Sequence, residues 1–167
     1  RYLYEKGEYD PRDEQSFTPS LVNRIDRNTG GIVIAAKNAE SLRILNQKLK
    51  DRELEKYYLC VIHGSMKQKS GVLEGWLTKD EKKNKVTVSE RRTEDAKQIR
   101  TKYSVLAENG GLSLVEVELL TGRTHQIRVH MAHIGHPLAG DSLYGGSDKM
   151  IARHALHCGI ICFAHPL

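Results

Sequence analysis

One carboxylate near the start of the chain is crowded by basic residues. Asp26 stands between Arg24 and Arg27 in the stretch VNRIDRNTGG, just before a threonine and two glycines. Such an aspartate can be an exposed turn residue that accepts an Asx-type hydrogen bond from the Thr29 or Gly30 backbone. It can also be a carboxylate held in its ionised form for nucleophilic chemistry, because a nearby guanidinium favours the charged state. The residues alone leave both interpretations open.

A second segment has the opposite character. Residues 119 to 140 contain no Asp or Glu, but they contain Arg123, Arg128 and four histidines. Arginine is well suited to bidentate contact with carboxylate or phosphate. We therefore expect this segment to face either a phosphate or a buried carboxylate from elsewhere in the chain, and Asp26 is the candidate carboxylate.

Histidines and cysteines raise the alternative of a metal site. His130, His133 and His136 recur at every third position, and the stretch HALHCGIIC adds two histidines and two cysteines near the C-terminal end. Structural zinc sites, however, show paired cysteines or a close His/Cys pairing at each end of a defined spacer. Here the cysteines lie in an apolar, strand-like run, where Cys behaves as a small hydrophobic residue. We therefore expect no metal.

Other catalytic patterns are absent from the sequence. There is no glycine-rich phosphate loop ending in Gly-Lys-Ser/Thr, no GxGxxG after a strand and no GxSxG. Cys60 and His63 could form a nucleophile and base, but no residue is in place to orient them. Any chemistry is therefore expected to depend on a carboxylate.

Composition limits the class of protein. The 167 residues suit one domain or a small two-lobed one, the 39% hydrophobic and 28% charged residues are typical of a globular protein, and no apolar run approaches the roughly 20 residues that cross a bilayer. Three cysteines do not make a disulfide framework, so we expect a reducing cytoplasm.

The net charge of +5 permits an anionic partner. Residues 79 to 102 hold nine Lys or Arg against five Asp or Glu, which fits either a nucleic-acid contact or a solvated sheet face.

The elements around Asp26 are expected to be short strands joined by a turn. Residues 1 to 20 are polar and contain two prolines, which predicts an irregular arm. LVNRID and IVIAAK are predicted to be strands, with RNTGG as the turn between them. Asn38 or Ser41 is expected to cap the next helix, whose apolar stripe is Leu42, Leu45 and Leu49.

The rest of the chain alternates between strand and helix patterns. EKYYLCVIHG, GVLEGWL, NKVTVSE, AKQIRTKYSVLAE and LSLVEVELL predict strands joined by polar or glycine-containing turns. TGRTHQIRVHMAHIGHP predicts a second helix, capped by Thr121 or Thr124 and ended by Gly135 and Pro137. The expected fold class is α/β in content and of the α+β type, with a mixed, mainly antiparallel central sheet flanked by helices.

Three of these segments together resemble a known family. NRIDRNTGGIVIAAKN, EKYYLCVIHG and TGRTHQIRVHMAHIGHPLAGDSLYGG are similar, in order and spacing, to the three signature segments of the RluA-type pseudouridine synthases. The resemblance runs from about Leu21 to the end of the chain. It implies the pseudouridine synthase catalytic fold with a central cleft, and RNA as the partner. It also implies an isomerase that detaches a uridine base at N1, turns it and rejoins it to the ribose through C5, without cofactor or metal.

The resemblance, carried over by position, implies roles for individual residues. Asp26 matches the catalytic aspartate, Arg128 matches the basic residue that pairs with it, and Tyr58 matches the tyrosine that stacks on the extruded uracil and is placed for proton transfer. Arg24 matches the arginine that enters the RNA helix, and Ile127 matches the apolar residue that lines the pocket. Flipping a base out of the stack costs a few kcal/mol, which a wedge and an aromatic platform offset.

Neighbouring residues complete the expected site. Arg123 and His125, from the segment without acids, are expected to contact RNA. Strand alternation admits only one of Tyr57 and Tyr58 to the pocket, and the motif favours Tyr58. Arg27 is expected to be a surface charge.

Two departures from the family pattern, and the extent of the chain, bear on these expectations. The family usually has His where this chain has Asn23, and Ser where it has Gly30; neither is the nucleophile, so we expect activity to survive. Residues 1 to 167 are expected to be a single catalytic domain, truncated at both ends, that acts as a monomer on structured rRNA or tRNA. Two other hypotheses stay open: a catalytically silent RNA-binding module of the same fold, and a metal-dependent hydrolase.

Overall fold

Alternation of apolar and polar residues builds strands, which make up most of the regular secondary structure of the described residues. The computed structural model describes residues 1–13, 16–80, 85–147 and 151–165. Its helices are α1 Tyr2–Glu5, α2 Ala39–Lys50 and α3 Gln126–His133, with a 3₁₀ turn at Ser142–Tyr144. Its strands are β1 Ser20–Leu21, β2 Gly30–Gly31, β3 Ala35–Ala36, β4 Glu55–His63, β5 Ser70–Asp80, β6 Lys85–Ser89, β7 Lys97–Asn109, β8 Leu112–Leu119 and β9 Leu156–Cys162. Within these ranges, no helix has the length and apolar character needed to cross a membrane.

Seven of the strands form one sheet, in the order β2-β9-β4-β8-β7-β5-β6. Neighbouring strands are antiparallel except for β2 and β9, which run parallel. Side-chain alternation separates the two faces: on β4, Ile62 is fully buried while Leu59 is 39% exposed. The predicted class, α+β with a mixed and mainly antiparallel sheet, is confirmed.

The chain groups into two compact units. The first comprises Arg1–Ile25, Val33–Leu54 and Phe163–Leu167, and the second comprises Asp26–Ile32 and Glu55–Cys162. In the first unit β1 pairs with β3, and Val22, Ala36 and Leu45 form a buried cluster. Asn38 caps α2, because its side chain accepts a hydrogen bond from the Ser41 N–H at 2.8 Å.

In the second unit, α3 packs against β6 and β7. Val129 of this helix joins Leu77, Val86 and Ile99 in a buried cluster. Burial of an aliphatic side chain of this size contributes about 1.5–3 kcal/mol. The helix that carries Arg128 is therefore held on the sheet by hydrophobic packing.

The region around Asp26 differs from the prediction. Of LVNRID only Leu21 lies in a strand, and of IVIAAK only Ala35–Ala36 does. Buried Asn23 supplies part of the reason, since its Oδ1 accepts the Ile34 N–H at 2.7 Å and so replaces a strand-to-strand hydrogen bond. The two glycines expected in the turn instead form β2, which pairs with His157 and Cys158 of β9.

The second helix and the N-terminal arm also differ from the prediction. The helix begins at Gln126, and its N-cap, His125, has a left-handed φ of 53° without a side-chain capping bond, so neither proposed threonine caps it. Gly135 follows the helix at a φ of +86°, in agreement with its predicted end. In the arm, α1 is one turn of helix supported by an ion pair of 2.8 Å between Arg1 and Glu5. Such a turn was not expected in an irregular segment.

Candidate active site

Asp26 lies in a turn that is closed through its backbone. The Asp26 carbonyl oxygen accepts a hydrogen bond from the Thr29 N–H at 2.9 Å. The Thr29 hydroxyl in turn lies 2.8 Å from Nε2 of buried His154, which ties the turn to the segment before β9. The Asp26 carboxylate, which is 19% exposed, faces Arg128 instead. The interpretation of Asp26 as an Asx-type turn residue is therefore not the one observed.

Gln126 fixes the start of α3 in place of a capping threonine. Its side-chain amide donates hydrogen bonds to the Arg100 carbonyl and the Thr101 hydroxyl, both at 3.0 Å. Its Oε1 accepts the Thr121 hydroxyl at 2.9 Å and the Arg123 N–H at 3.1 Å. One buried amide thus uses both donors and both acceptor positions to bind the start of the helix to β7.

Arg128 lies between two carboxylates. Its Nε and Nη2 donate to the Asp141 carboxylate at 2.7 and 2.9 Å, and its Nη1 donates to Asp26 Oδ2 at 3.4 Å. The three side chains are largely withdrawn from solvent, with exposures of 8% for Arg128, 1% for Asp141 and 19% for Asp26. The expected contact between Asp26 and Arg128 is present. It is not the principal one, however, because Arg128 makes a shorter, bidentate pair with Asp141.

The guanidinium stays charged in this setting. Burial opposes the charged form of Arg128, but the hydrogen bonds and charge of Asp141, with a smaller effect of Asp26, raise its pKa above the usual value. The Tyr144 ring adds a cation–π contact, with the guanidinium carbon 5.2 Å from the ring centre. Arg128 is therefore a permanent positive charge beside Asp26.

Tyr58, not Tyr57, lies on the buried face of β4. Tyr58 is 6% exposed, whereas the Tyr57 hydroxyl donates to Glu55 at 3.0 Å on the other face. A bulge in the pairing with β9 separates the two tyrosines. Burial, then the thiol of Cys158, then the charge of Asp26 raise the pKa of Tyr58. The Tyr58 hydroxyl is therefore protonated at neutral pH and is sensitive to the charge of Asp26.

The remaining residues of the predicted set divide by exposure. Arg24, in the first unit, and Arg123, in the second, are exposed, as a contact with RNA requires. Ile127 is only 3% exposed. His125 is engaged within the protein: its Nδ1 lies 2.9 Å from the Tyr144 hydroxyl, and the two rings meet edge to face at 5.7 Å.

The prediction from sequence missed Asp141 and Tyr144. Both lie in the stretch GDSLYGG, directly after the segment without acids. One signal was available, since Asp141 is the first carboxylate that follows residues 119 to 140. When a segment rich in arginine and histidine is followed directly by an aspartate, its arginine can pair with this nearby carboxylate as well as with a distant one.

Some of the histidines and cysteines that raised other chemistry make contacts within the protein or are buried. His130 Nδ1 lies 2.9 Å from the Thr101 hydroxyl, and His136 Nδ1 lies 2.9 Å from the His63 carbonyl oxygen. In the part of the chain that the structure describes, no three His, Cys, Asp or Glu side chains converge as metal ligands. Cys60 is 1% exposed, and burial raises its pKa to about 12, so it is not a thiolate nucleophile at neutral pH.

The described basic residues between positions 79 and 102 lie on β5, β6, β7 and the connection between β6 and β7. Arg100 pairs with Glu74 at 2.7 Å and Lys102 pairs with Glu118 at 2.8 Å, so part of the positive charge is neutralised by neighbouring strands. Arg92 lies 5.3 Å from the centre of the Trp76 ring. Lys82 and Lys83 lie outside the described residues.

Comparison with known proteins gives a family for the chain. A family model described as RNA pseudouridylate synthase matches residues 1–133. An uncharacterised RNA pseudouridine synthase of Bacillus subtilis is 40% identical over 151 residues, which cover 90% of this chain and 52% of that protein. Ribosomal large subunit pseudouridine synthase D of Borreliella burgdorferi is 35% identical over 145 residues, which cover 86% of this chain and 44% of that protein. The chain spans about half the length of the curated relatives it matches.

Solved structures share the fold. Human RNA Pseudouridylate Synthase Domain Containing 1 superposes with a TM-score of 0.81 at 24% identity, over 89% of this chain and 65% of that one. Human RNA Pseudouridylate Synthase Domain Containing 4 superposes with a TM-score of 0.74 at 20% identity, over 90% of this chain and 69% of that one. At these identities the likeness concerns the fold.

Proposed function

The chain belongs to the RNA pseudouridylate synthase family, as its RluA-type motifs predicted, and on that premise we propose that it carries the active site of an isomerase that converts uridine in RNA to pseudouridine. Two of the relatives are named as ribosomal large subunit pseudouridine synthases. We therefore propose structured rRNA as the first substrate class and tRNA as the second. The three cysteines are free, which fits action in a reducing cytoplasm.

The observation that carries the proposal is the contact between Asp26 and Arg128, 102 residues apart in sequence. A carboxylate on a turn, partly shielded from water and beside a permanent positive charge, is the arrangement that a carboxylate nucleophile requires. We propose that Tyr58, on the buried face of β4, belongs to the same site, as the family motif implies.

The proposed reaction needs no consumed cofactor. The N1–C1′ glycosidic bond of the uridine breaks and a C5–C1′ bond forms, while the base loses a proton from C5 and gains one at N1, so atoms and electrons balance. In this proposal Asp26 is the nucleophile, attacking either the sugar or the base. Tyr58 stacks on the extruded uracil and takes part in proton transfer.

Access to the base is assigned to basic and apolar residues that the family motifs name. A base within a stacked helix is unreachable, so the enzyme must extrude it. Exposed Arg24 is proposed to enter the RNA helix, while Arg123 and His125 contact the RNA and Ile127 lines the uracil pocket. The basic strands β5 to β7 are proposed to contact phosphate.

The test of this function uses the protein in its natural length. Total RNA from cells that lack the gene is incubated with wild type, Asp26→Ala or Asp26→Asn, and pseudouridine is mapped by chemical labelling and sequencing. We expect new pseudouridine at one or a few sites with wild type alone, in rRNA before tRNA. Identical RNA after all three incubations would contradict the enzyme assignment.

The competing function is an RNA-binding module of the same fold without turnover. It would bind RNA equally well as wild type and as Asp26→Asn and would form no pseudouridine with either. The contact between Asp26 and Arg128 favours the enzyme, because binding alone does not require a carboxylate facing the RNA, which repels phosphate.

A further inference from the structure

Asp141 occupies a helix N-cap position without capping the helix. It directly precedes the 3₁₀ turn Ser142–Tyr144 and makes no side-chain capping bond there, although aspartate commonly caps in this way. Both of its carboxylate oxygens instead accept hydrogen bonds from Arg128, at 2.7 and 2.9 Å. The Asp141 side chain is 1% exposed, so it is withdrawn from any molecule bound at the surface. The use of Asp141 is therefore to hold Arg128.

The backbone around Asp141 leaves little room for movement. The Asp141 N–H donates to the Leu138 carbonyl at 3.1 Å, and the Asp141 carbonyl accepts the Tyr144 N–H at 3.2 Å and the Gly146 N–H at 2.8 Å. A Cβ added at Gly146 would overlap the Leu138 carbonyl, and Leu138 itself is fully buried. Asp141 is therefore held in a fixed position by a tightly packed loop.

Three groups restrain the Arg128 guanidinium in different directions. Asp141 holds the edge formed by Nε and Nη2, and the guanidinium carbon lies over the Tyr144 ring, 5.2 Å from its centre. The remaining edge, at Nη1, points to Asp26 Oδ2 at 3.4 Å. Because the bidentate contact defines the guanidinium plane, the direction in which Nη1 points is set by Asp141.

We propose that Asp141 is a positioning residue for the isomerisation: it fixes the Arg128 guanidinium so that Asp26 receives one hydrogen bond from Nη1 and does not close onto Arg128 as a bidentate ion pair. The inference rests on the proposed role of Asp26 as the nucleophile. A bidentate pair between Asp26 and Arg128 would engage both oxygens of the nucleophile. Asp141 counters this by holding the edge formed by Nε and Nη2, which fixes the guanidinium so that Nη1 alone donates to Asp26.

The test is a double-substitution cycle in the natural-length protein, with kcat and KM measured on an RNA that contains the target uridine. The variants are Asp141→Asn, Arg128→Lys and the two combined, with Glu118→Gln, from the exposed pair with Lys102, as the matched control. For Asp141→Asn we expect kcat to fall by about 10- to 100-fold, as small misplacements of catalytic groups do, with KM within about threefold of wild type. The combined variant should be no slower than Arg128→Lys, because Asp141 acts only through Arg128.

The outcomes separate this inference from the proposed function. If wild type forms pseudouridine and Asp26→Asn does not, the function stands. An unchanged kcat in Asp141→Asn, a change confined to KM, or losses that multiply in the combined variant would then overturn the inference alone. If circular dichroism shows that Asp141→Asn does not fold, the same cycle with Asp141→Glu, which keeps the charge but displaces it by a methylene, applies the same criteria.

Discussion

Gly31 lies directly against the backbone of Cys158. A Cβ at residue 31 would overlap the Cys158 carbonyl oxygen and amide nitrogen, and Gly31 has a φ of +119°, which residues with a side chain rarely adopt. We expect Gly31→Ala to lower the free energy of unfolding by about 3 kcal/mol or more. Urea denaturation followed by fluorescence measures this. Gly159→Ala is the matched control, since nothing lies within 4 Å of a Cβ there, and its effect should stay within about 1 kcal/mol. Equal effects of the two substitutions would contradict the close parallel pairing of β2 with β9.

His130 makes stability depend on pH. Burial lowers the pKa of His130 from 6.5 to about 4. Between pH 4 and pH 6.5 the unfolded chain binds a proton at His130 that the folded chain does not. The contribution of neutral His130 to the free energy of unfolding is therefore complete above pH about 6.5 and is lost as the pH falls toward 4. A difference of this size corresponds to roughly 3 kcal/mol.

The measurement is the unfolding free energy of wild type and His130→Gln between pH 4 and 7.5. The variant should lose most of this pH dependence; His154, whose pKa burial also lowers, and Asp10 and Glu108, whose pKa values are lowered by hydrogen bonds to Arg12 and Lys69, contribute to the remainder. His157→Gln, at an exposed position, is the control and should keep the wild-type slope. If the unfolding free energy of His130→Gln depended on pH as strongly as that of wild type, the imidazole of His130 would not be buried in its neutral form.

The two adjacent tyrosines make an internal comparison for catalysis. Tyr58→Phe keeps the buried ring but removes the hydroxyl, so we expect kcat to fall by about 100-fold or more, as loss of a proton-transfer group does, with RNA affinity unchanged. Tyr57→Phe removes a hydroxyl that is bonded to Glu55 and should leave kcat within about twofold. Single-turnover formation of pseudouridine checks both. Equal rates for the two variants would remove the hydroxyl of Tyr58 from the mechanism.

Arg24 and Arg27 make a second internal comparison, for RNA binding. Both side chains are exposed and flank Asp26 in sequence. In an Asp26→Asn background, Arg24→Ala should weaken binding of the target RNA by about tenfold and reduce the fluorescence rise of a 2-aminopurine next to the target uridine, because extrusion of the base is impaired. Arg27→Ala should change binding less than threefold and leave the fluorescence rise intact. Equal losses from both would indicate a general electrostatic contact without a wedge.

The long strands were predictable because their signal is local. In β8 the side chains of Val115 and Val117 are buried while Glu116 between them is partly exposed, and this alternation of apolar and charged residues is visible in the sequence. The cap of α2 at Asn38 was predictable for the same reason, since it needs only the Ser41 N–H three residues later. The class of the fold follows from such patterns.

The site was less predictable because its contacts join distant segments. The position of Asp26 depends on β2, whose two glycines form a strand only because β9 accepts them as a neighbour. The start of α3 is set by Gln126 and its bonds to β7, where a capping threonine was expected. The pairing of Arg128 with Asp141 requires the tight loop around Gly146, and no periodic pattern encodes that loop.

The parallel pairing of β2 with β9 has a consequence for biosynthesis. Thr29 and His154, which join the Asp26 turn to the segment before β9, are 125 residues apart, so the turn cannot be held until nearly all of this chain has been made. Closing so long a loop is slow compared with forming the local hairpins of β5 to β8. On the ribosome, the carboxylate therefore reaches its place after the sheet that carries Tyr58 and the helix that carries Arg128 can already form. On the proposed function, a chain interrupted before β9 would lack the segment that holds the turn of its nucleophile.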